Sequence, residues 1–263
     1  MAAFGNMLRE IRKAKRLSQL DLAVESEVST RHISFLETGR AKPSREMILH
    51  LARQLDIPFK ETNMLLAAAG FAHQYRESNI ADPGLANIRN ALNFMLQSNE
   101  PYPAIVLDAQ WNILMANQAQ QRIVQKLVAL GAKFPPTFNI MEHFMAEEGY
   151  RQFVTNWDEV VVILLQRMHK EHLLSARRDE PNTQLEKLLT FPGVPTDWLS
   201  RDIGDKSHPL VEVRLEIEGQ ALGIFSTIAT FGTPLDVTLQ DIRIEHYFPA
   251  DENTRLFFEN LTH

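Results

Sequence analysis

The sequence predicts two domains: an all-α N-terminal unit of five short helices, then an α+β unit built on a five-stranded antiparallel sheet. Three observations carry that prediction. The segment Gln19–Pro43, QLDLAVESEVSTRHISFLETGRAKP, reads as two short helices joined by a tight turn. Apolar residues recur at spacings of three and four through the first 70 residues and again in the middle of the chain. Near the C-terminus the period changes to two, as in Val211-Glu-Val-Arg-Leu-Glu-Ile217, the pattern of a half-buried strand.

In the first unit, Phe4–Lys15 is a helix with Phe4, Met7, Leu8 and Ile11 on one face and Arg9, Arg12 and Lys13 opposite. Ser18 and Ser29 stand where N-caps belong, each offering a side-chain oxygen to an orphan backbone N–H. They start the two helices of the bihelical segment, with Ser26–Val28 as the turn and Leu22, Val28, Ile33 and Leu36 as its packing face. Ser44 caps a fourth helix, and Pro58 opens a fifth that Gly70 ends. The second helix of the pair presents Thr30, Arg31, Ser34 and Phe35 outward, which suits a helix lying in a major groove of double-stranded DNA. Arg31 can take a guanine edge through two hydrogen bonds, and Phe35 either meets a thymine methyl or packs on the fourth helix. Gln19 begins its helix, where its amide can hydrogen-bond a phosphate and buttress the reading helix. Ser29 is a further DNA-contact candidate, and Arg40, Lys42 and Arg45 after the reading helix should meet phosphate, which positions without specifying.

This stretch resembles the helix-turn-helix of phage repressors and the Xre-type bacterial regulators. The matching points are Leu8, Ile11 and Arg12, Leu17-Ser18-Gln19, Leu22-Ala23, Val28-Ser29, Ile33-Ser34, Leu36-Glu37, Gly39 and Pro43-Ser44. Glu27 stands where that family has a turn glycine, so the turn there is either strained or not left-handed.

Length and composition agree. At 263 residues the chain exceeds one usual compact domain, and 44% hydrophobic with 23% charged residues is ordinary for a globular protein. Without a cysteine it carries no disulfide scaffold and no thiolate chemistry, which fits a reducing cytoplasm. No run approaches ~18 uncharged apolar residues, so neither a membrane span nor a leader is expected. The net charge of −6 hides an asymmetry: residues 1–56 carry 10 Lys/Arg against 7 Asp/Glu, and the remainder 17 against 26. A basic head on an acidic body suits contact with nucleic acid at one end only.

The domain boundaries are drawn at 1–70 for the helical unit, 71–99 for a linker and connector helix, and 100–263 for the second domain. The connector carries Leu85, Ile88, Leu92 and Met95 on one stripe, for packing on the second domain or for pairing with its copy in a homodimer. Ala104–Leu107 and Trp111–Ala116 read as strands of a hairpin. Helices follow at 117–130, 140–147, 150–173, 183–189 and 196–201, then strands at 211–217, 221–231 and 239–248, with Glu218-Gly219-Gln220 as a tight turn. This order of elements is similar to a PAS domain, which encloses a small molecule between sheet and helices.

A further resemblance lies in short words of sequence: Leu65–Phe71, Pro101-Tyr102-Pro103-Ala104, Trp111-Asn112 with Asn117, Phe153 to Asn156-Trp157, Thr230-Phe231-Gly232-Thr233-Pro234, and Phe248-Pro249-Ala250-Asp251. In order, these resemble the MmyB-like regulators, Xre-headed proteins with a PAS-like C-terminal ligand domain. The resemblance implies a fatty-acid-like apolar effector and control of neighbouring metabolic genes, often those of oxidoreductases. Leu107, Met115, Phe153, Trp157, Leu164, Met168 and Phe225 are then candidate lining residues, although by its spacing alone such an apolar set is solid core more often than pocket. An acyl carboxylate needs a partner, for which Asn117, Arg122 and Asn156 are the candidates.

No nucleophile elbow, phosphate loop or dinucleotide fingerprint is present, and the lysines at 126, 170 and 187 lack the nearby serine of a self-cleaving repressor. His169 with His172, and Glu142 with His143, fall short of a metal-ligand set. No catalytic activity and no resident cofactor are expected. The reading is a cytoplasmic, homodimeric regulator of transcription that binds operator DNA and an apolar effector. Its alternative is a regulator whose second domain only dimerises or binds a partner protein.

Overall fold

Serine caps fix where the second, third and fourth helices of the N-terminal unit begin. The computed structural model describes residues 2–174, 181–202, 211–232, 234 and 236–261. Helices α1 (Ala2–Ala14), α2 (Gln19–Glu25), α3 (Thr30–Glu37), α4 (Arg45–Gln54) and α5 (Phe59–Ala68) form the unit. Ser18 accepts from the Asp21 N–H while Asp21 accepts from the Ser18 N–H, a reciprocal capping box. Ser29 caps α3 through the His32 N–H, and Ser44 caps α4 through the Met47 N–H. Each such cap is worth ~1 kcal/mol. Phe4, Leu8, Leu22, Ile33, Leu36, Ile48, Leu51, Leu65 and Leu66 meet in one buried core.

The turn between α2 and α3 is left-handed at Glu27, with φ of 54°. Val28 N–H reaches back to the Ala23 carbonyl at 3.0 Å, closing α2 in the manner that ordinarily takes glycine. Of the two sequence alternatives the strained one holds, and the unit carries the steric penalty of a Cβ in that region.

Beyond Gly70 (φ 86°), a polar segment is fastened to the same unit. Asn63 donates to the Tyr75 carbonyl (2.8 Å) and accepts from the N–H groups of Gln74 and Tyr75. The Phe59 and Tyr75 rings stack at 3.8 Å between centroids.

The second unit opens with a 3-10 turn, Pro83–Leu85, running into α6 (Ala86–Ser98). There follow β1 (Ala104–Leu107), β2 (Ile113–Ala116), α7 (Gln118–Ala129), α8 (Ile140–Met145), α9 (Trp157–Leu174) and α10 (Thr183–Leu189). The chain ends with β3 (Val213–Ile217), β4 (Gln220–Thr230), α11 (Val237–Asp241), which up to Gln240 groups with the first unit, β5 (Arg243–Pro249) and α12 (Glu252–Asn260). The strands form one antiparallel sheet in the order β2-β1-β5-β4-β3. Glu218 (φ 51°) and Gly219 (φ 75°) turn β3 into β4, both positive as a two-residue hairpin turn requires. The resulting α+β arrangement, with helices inserted between β2 and β3, is the PAS-like order of elements that the sequence resembles.

Four details differ from the sequence reading. The single helix expected over 150–173 is broken: Tyr150–Phe153 is a 3-10 turn, and Val154 bridges Leu215 of β3 before α9 begins. Thr155 N–H donates to the Arg214 carbonyl at 2.8 Å, so sheet pairing outcompetes the helical ladder. Residues 196–200 form turns, held by Gln166 bonding the Trp198 and Arg201 carbonyls, in place of a helix. The last strand starts only at Arg243, because Asp236 caps the short α11 through the Thr238 N–H. The sequence reading also passed over α12, which Asp251 caps through the Thr254 N–H. Thr233, part of one quoted sequence word, lies outside the described residues.

Glu27→Gly should raise the urea midpoint of the helical unit, by up to about 1 kcal/mol of stability, by removing the left-handed Cβ penalty. An unchanged or lowered midpoint would show that Glu27 bears no strain.

Candidate nucleic-acid interface and ligand cavity

Helix α3 presents its first turn to solvent because Ile33 and Leu36 anchor its other face in the core. Thr30 and Arg31 are exposed, and Ser34 and Phe35 are half-buried. The Arg31 guanidinium lies over the Phe35 ring at 5.2 Å, a cation–π pair one helical turn apart. Ser29 is exposed at the start of α3, with its side chain engaged in the cap, and Arg40 and Lys42 are exposed on the loop that follows.

Two expected phosphate contacts are corrected. The Gln19 amide nitrogen donates to Glu37 Oε2 at 2.7 Å, inside a buried network where Arg12 grips the same carboxylate at 2.6 and 3.0 Å. Gln19 therefore buttresses the end of α3 from within. Arg45 donates to the Ala72 carbonyl (2.7 Å) and to Gln74 Oε1 (2.6 Å), so its fork holds the polar segment after Gly70. Burial alone would raise the Glu37 carboxyl, but hydrogen bonds from Arg12 and Gln19 and the charges of Arg12 and Arg9 outweigh it and hold the group below its ordinary range.

The second unit holds a partly open cavity of about 600 Å³ between its helices and the sheet. It lies where two apolar clusters meet. One contains Trp111, Met141, Val154 and Val161, and the other Ile123, Leu127, Ile217 and Phe258. Leu164 and Phe225 line the cavity, as do Trp111, Phe144 and Ile228. Leu107, Trp157 and Met168 are buried in the first cluster beside it, and Phe153 packs against the second. Met115 pairs with Val106 in the β1–β2 hairpin and is not a lining residue.

The three polar candidates are engaged elsewhere. The Asn117 carbonyl oxygen accepts from Ala104 and Gln120, and its amide donates to the Leu96 and Tyr102 carbonyls, so it ties α7 to β1. Arg122 is ion-paired with Glu100. Asn156 donates to the Glu212 carbonyl and accepts from the Arg214 N–H, fixing the start of α9 to the β3 side.

The polar groups that do line the cavity are Gln120, Tyr150, Arg167, Ser226, Glu245 and Tyr247. Gln120 donates to the Tyr150 hydroxyl at 2.9 Å. Burial pushes that phenol up to about 12, against the opposing hydrogen bond from Gln120. Burial likewise raises Tyr247, with Glu245 and Tyr150 adding to the effect. Glu245, only 9% exposed, is raised by burial even though Ser226 and Tyr247 hydrogen-bond it and Arg167 and Arg243 lie near. Arg167 and Arg243 flank the Trp111 ring at 5.0 and 5.4 Å. One signal for this group was available: Glu245 and Tyr247 fall two apart in one strand, hence on one face.

Among the described residues no cluster of three potential metal ligands occurs, and no helix is long and apolar enough to cross a membrane. His143 instead bonds the Thr137 carbonyl, and Glu142 pairs with Lys187 at 2.6 Å.

A helix-turn-helix head joined to a ligand-binding-type domain defines a DNA-binding transcription regulator. Residues 88–261 match the MmyB-like transcription regulator ligand binding domain, and residues 8–61 match the helix-turn-helix family. The chain belongs to the MmyB-like transcription regulators. Over 78 residues it is 40% identical to the uncharacterized HTH-type transcriptional regulator RghRB of Bacillus subtilis (strain 168), covering 29% of this chain and 54% of that protein. The chain thus spans about half the length of that relative. Among solved structures, the PAS domain of Bordetella pertussis BvgS aligns with a TM-score of 0.27 at 14% identity, over 65% of this chain and 94% of that one. An RNA-binding light-oxygen-voltage receptor aligns with a TM-score of 0.24 at 9% identity, over 100% of this chain and 62% of that one.

Arg12→Leu leaves Glu37 buried without its main partner and should destabilise the helical unit by ~3–5 kcal/mol at neutral pH. A carboxyl held low gives stability that is present above its unfolded pKa and lost as pH falls through the folded one. The gap between wild type and Arg12→Leu in thermal melts should therefore narrow on acidification; a gap constant with pH would contradict the network.

Proposed function

We propose that this chain is a ligand-responsive transcription regulator that acts in the cytoplasm as a homodimer on a roughly palindromic operator. Its second domain takes an apolar, fatty-acid-like effector. The observation that carries this reading is the cavity of about 600 Å³, walled by Ile123, Leu127, Leu164, Leu215, Ile217, Phe225 and Phe258, within a domain of ligand-binding type. That volume lies within the ~300–1,000 Å³ of small-molecule sites. A fully packed core would hold no such space.

Regulation follows if the effector binds one DNA-competence state better than the other, since a ligand shifts an equilibrium only by its differential affinity. At the head, Arg31 reads a base edge; its exposure and the Phe35 ring beneath its guanidinium support that role. Lys42 is placed for phosphate.

Two outcomes test the reading. Native mass spectrometry of gently purified protein should show a co-purifying amphiphile, and each methylene removed from a saturated acid should weaken binding about fourfold, the equivalent of ~0.8 kcal/mol. An empty cavity with no chain-length dependence would instead favour a domain that serves dimerisation alone. In DNA titrations, Arg31→Ala should lose preference for the operator over other DNA. Lys42→Ala should weaken both uniformly and reduce the salt slope by about 1. Operator preference surviving Arg31→Ala would displace α3 as the reading helix.

A further inference from the structure

The polar lining residues of the cavity form a connected group. Glu245 and Tyr247 share a face of β5, and Ser226 of β4 stands opposite Tyr247 in the sheet register. Glu245 is hydrogen-bonded by Ser226 and Tyr247 and faces the charges of Arg167 from α9 and Arg243 from its own strand. Tyr150, held by Gln120 of α7, approaches Tyr247 from the helical side. Arg167 sits over Trp111, in the apolar cluster that also includes Tyr247. Ile123, Leu127, Ile217 and Phe258 belong to the second cluster, against which Tyr150 also packs, and bring no charged group to the cavity. Among the described lining residues the charged ones are Arg167 and Glu245.

We propose that a bound amphiphile lies with its head at Arg167, Ser226, Glu245 and Tyr247 and its chain against Ile123, Leu127, Ile217 and Phe258, and that this corner selects a carboxylic acid over the ester or alcohol of the same chain. The assignment rests on the reading of the cavity as an amphiphile site. The chemistry of the corner argues for the acid. A guanidinium meets a carboxylate through two parallel hydrogen bonds, a geometry an ester or alcohol cannot return. Tyrosine and serine hydroxyls add donors. A neighbouring carboxyl that keeps its proton can donate to a second carboxylate, and burial biases Glu245 that way. A permanently cationic head would face Arg167 and Arg243.

The probes are lauric acid, methyl laurate and lauryl alcohol, titrated into the delipidated full chain by calorimetry. Wild type should bind the acid at least about tenfold tighter than the ester, the scale of one charge-assisted hydrogen bond in a buried site. Arg167→Leu should abolish that preference while leaving ester affinity within about twofold, and Arg167→Lys should restore part of it. Arg122→Leu, whose parent side chain is paired with Glu100, should keep the full preference. Circular dichroism melts establish that each variant is folded; if Arg167→Leu is not, Ser226→Ala and Arg167→Lys carry the comparison, each expected to reduce the preference. Equal binding of acid and ester by wild type, or a preference untouched by the Arg167 variants, would overturn the head-group assignment and leave the apolar site standing. Binding of none of the three probes would overturn the amphiphile site itself, and the assignment with it.

Discussion

The structure of the second domain depends on β5 lying in the middle of the sheet, hydrogen-bonded to β1 on one side and β4 on the other. A central strand has no solvent edge, and its residues are covered: Ile244 is 1% exposed and Glu245 9%. Because side chains alternate across a strand, Glu245 and Tyr247 must project to the same face, where they line the cavity. The sheet thus delivers Ser226, Glu245 and Tyr247 to an interior where the helices contribute Gln120 and Arg167.

The molecule holds two buried glutamates with opposite behaviour. Glu37 is gripped by Arg12 through both oxygens and by Gln19, and stays charged; it welds the end of α3 to α1 and α2. Glu245 has hydroxyl partners and arginines nearby, and burial prevails, so its carboxyl is pushed up. The first is a stabilising device that anchors the end of α3. The second is a buried acid beside open space, the arrangement in which polar groups orient a ligand rather than the fold.

Much of the fold was legible because its signals are local. Ser18, Ser29 and Ser44 mark helix starts, Gly70 marks an end, and the 211–217 alternation marks a strand. What sequence missed arises from competition at a distance. Residues 154–156 leave a helical pattern because Leu215 and Arg214 offer sheet partners nearly 60 positions away. The same limit governed the site. Arg122 and Asn117 look available on an amphipathic helix, yet Glu100 and the backbone around β1 engage them. Arg167 and Glu245 appear unremarkable until β5 and α9 are brought to one cavity. At Glu27 the residue type left two alternatives open, and the structure shows the left-handed one, with φ of 54°.

The account turns on whether the space between sheet and helices is an occupied site or a void that closes. A crystal structure of the full chain, purified without stripping lipid, measures this directly. The account predicts elongated density in the cavity, with one end within hydrogen-bonding distance of Arg167 and Glu245 and the rest along Ile123, Leu127 and Phe258. A cavity collapsed by inward rotation of Leu215, Phe225 and Phe258, with no room for a ligand, would contradict it.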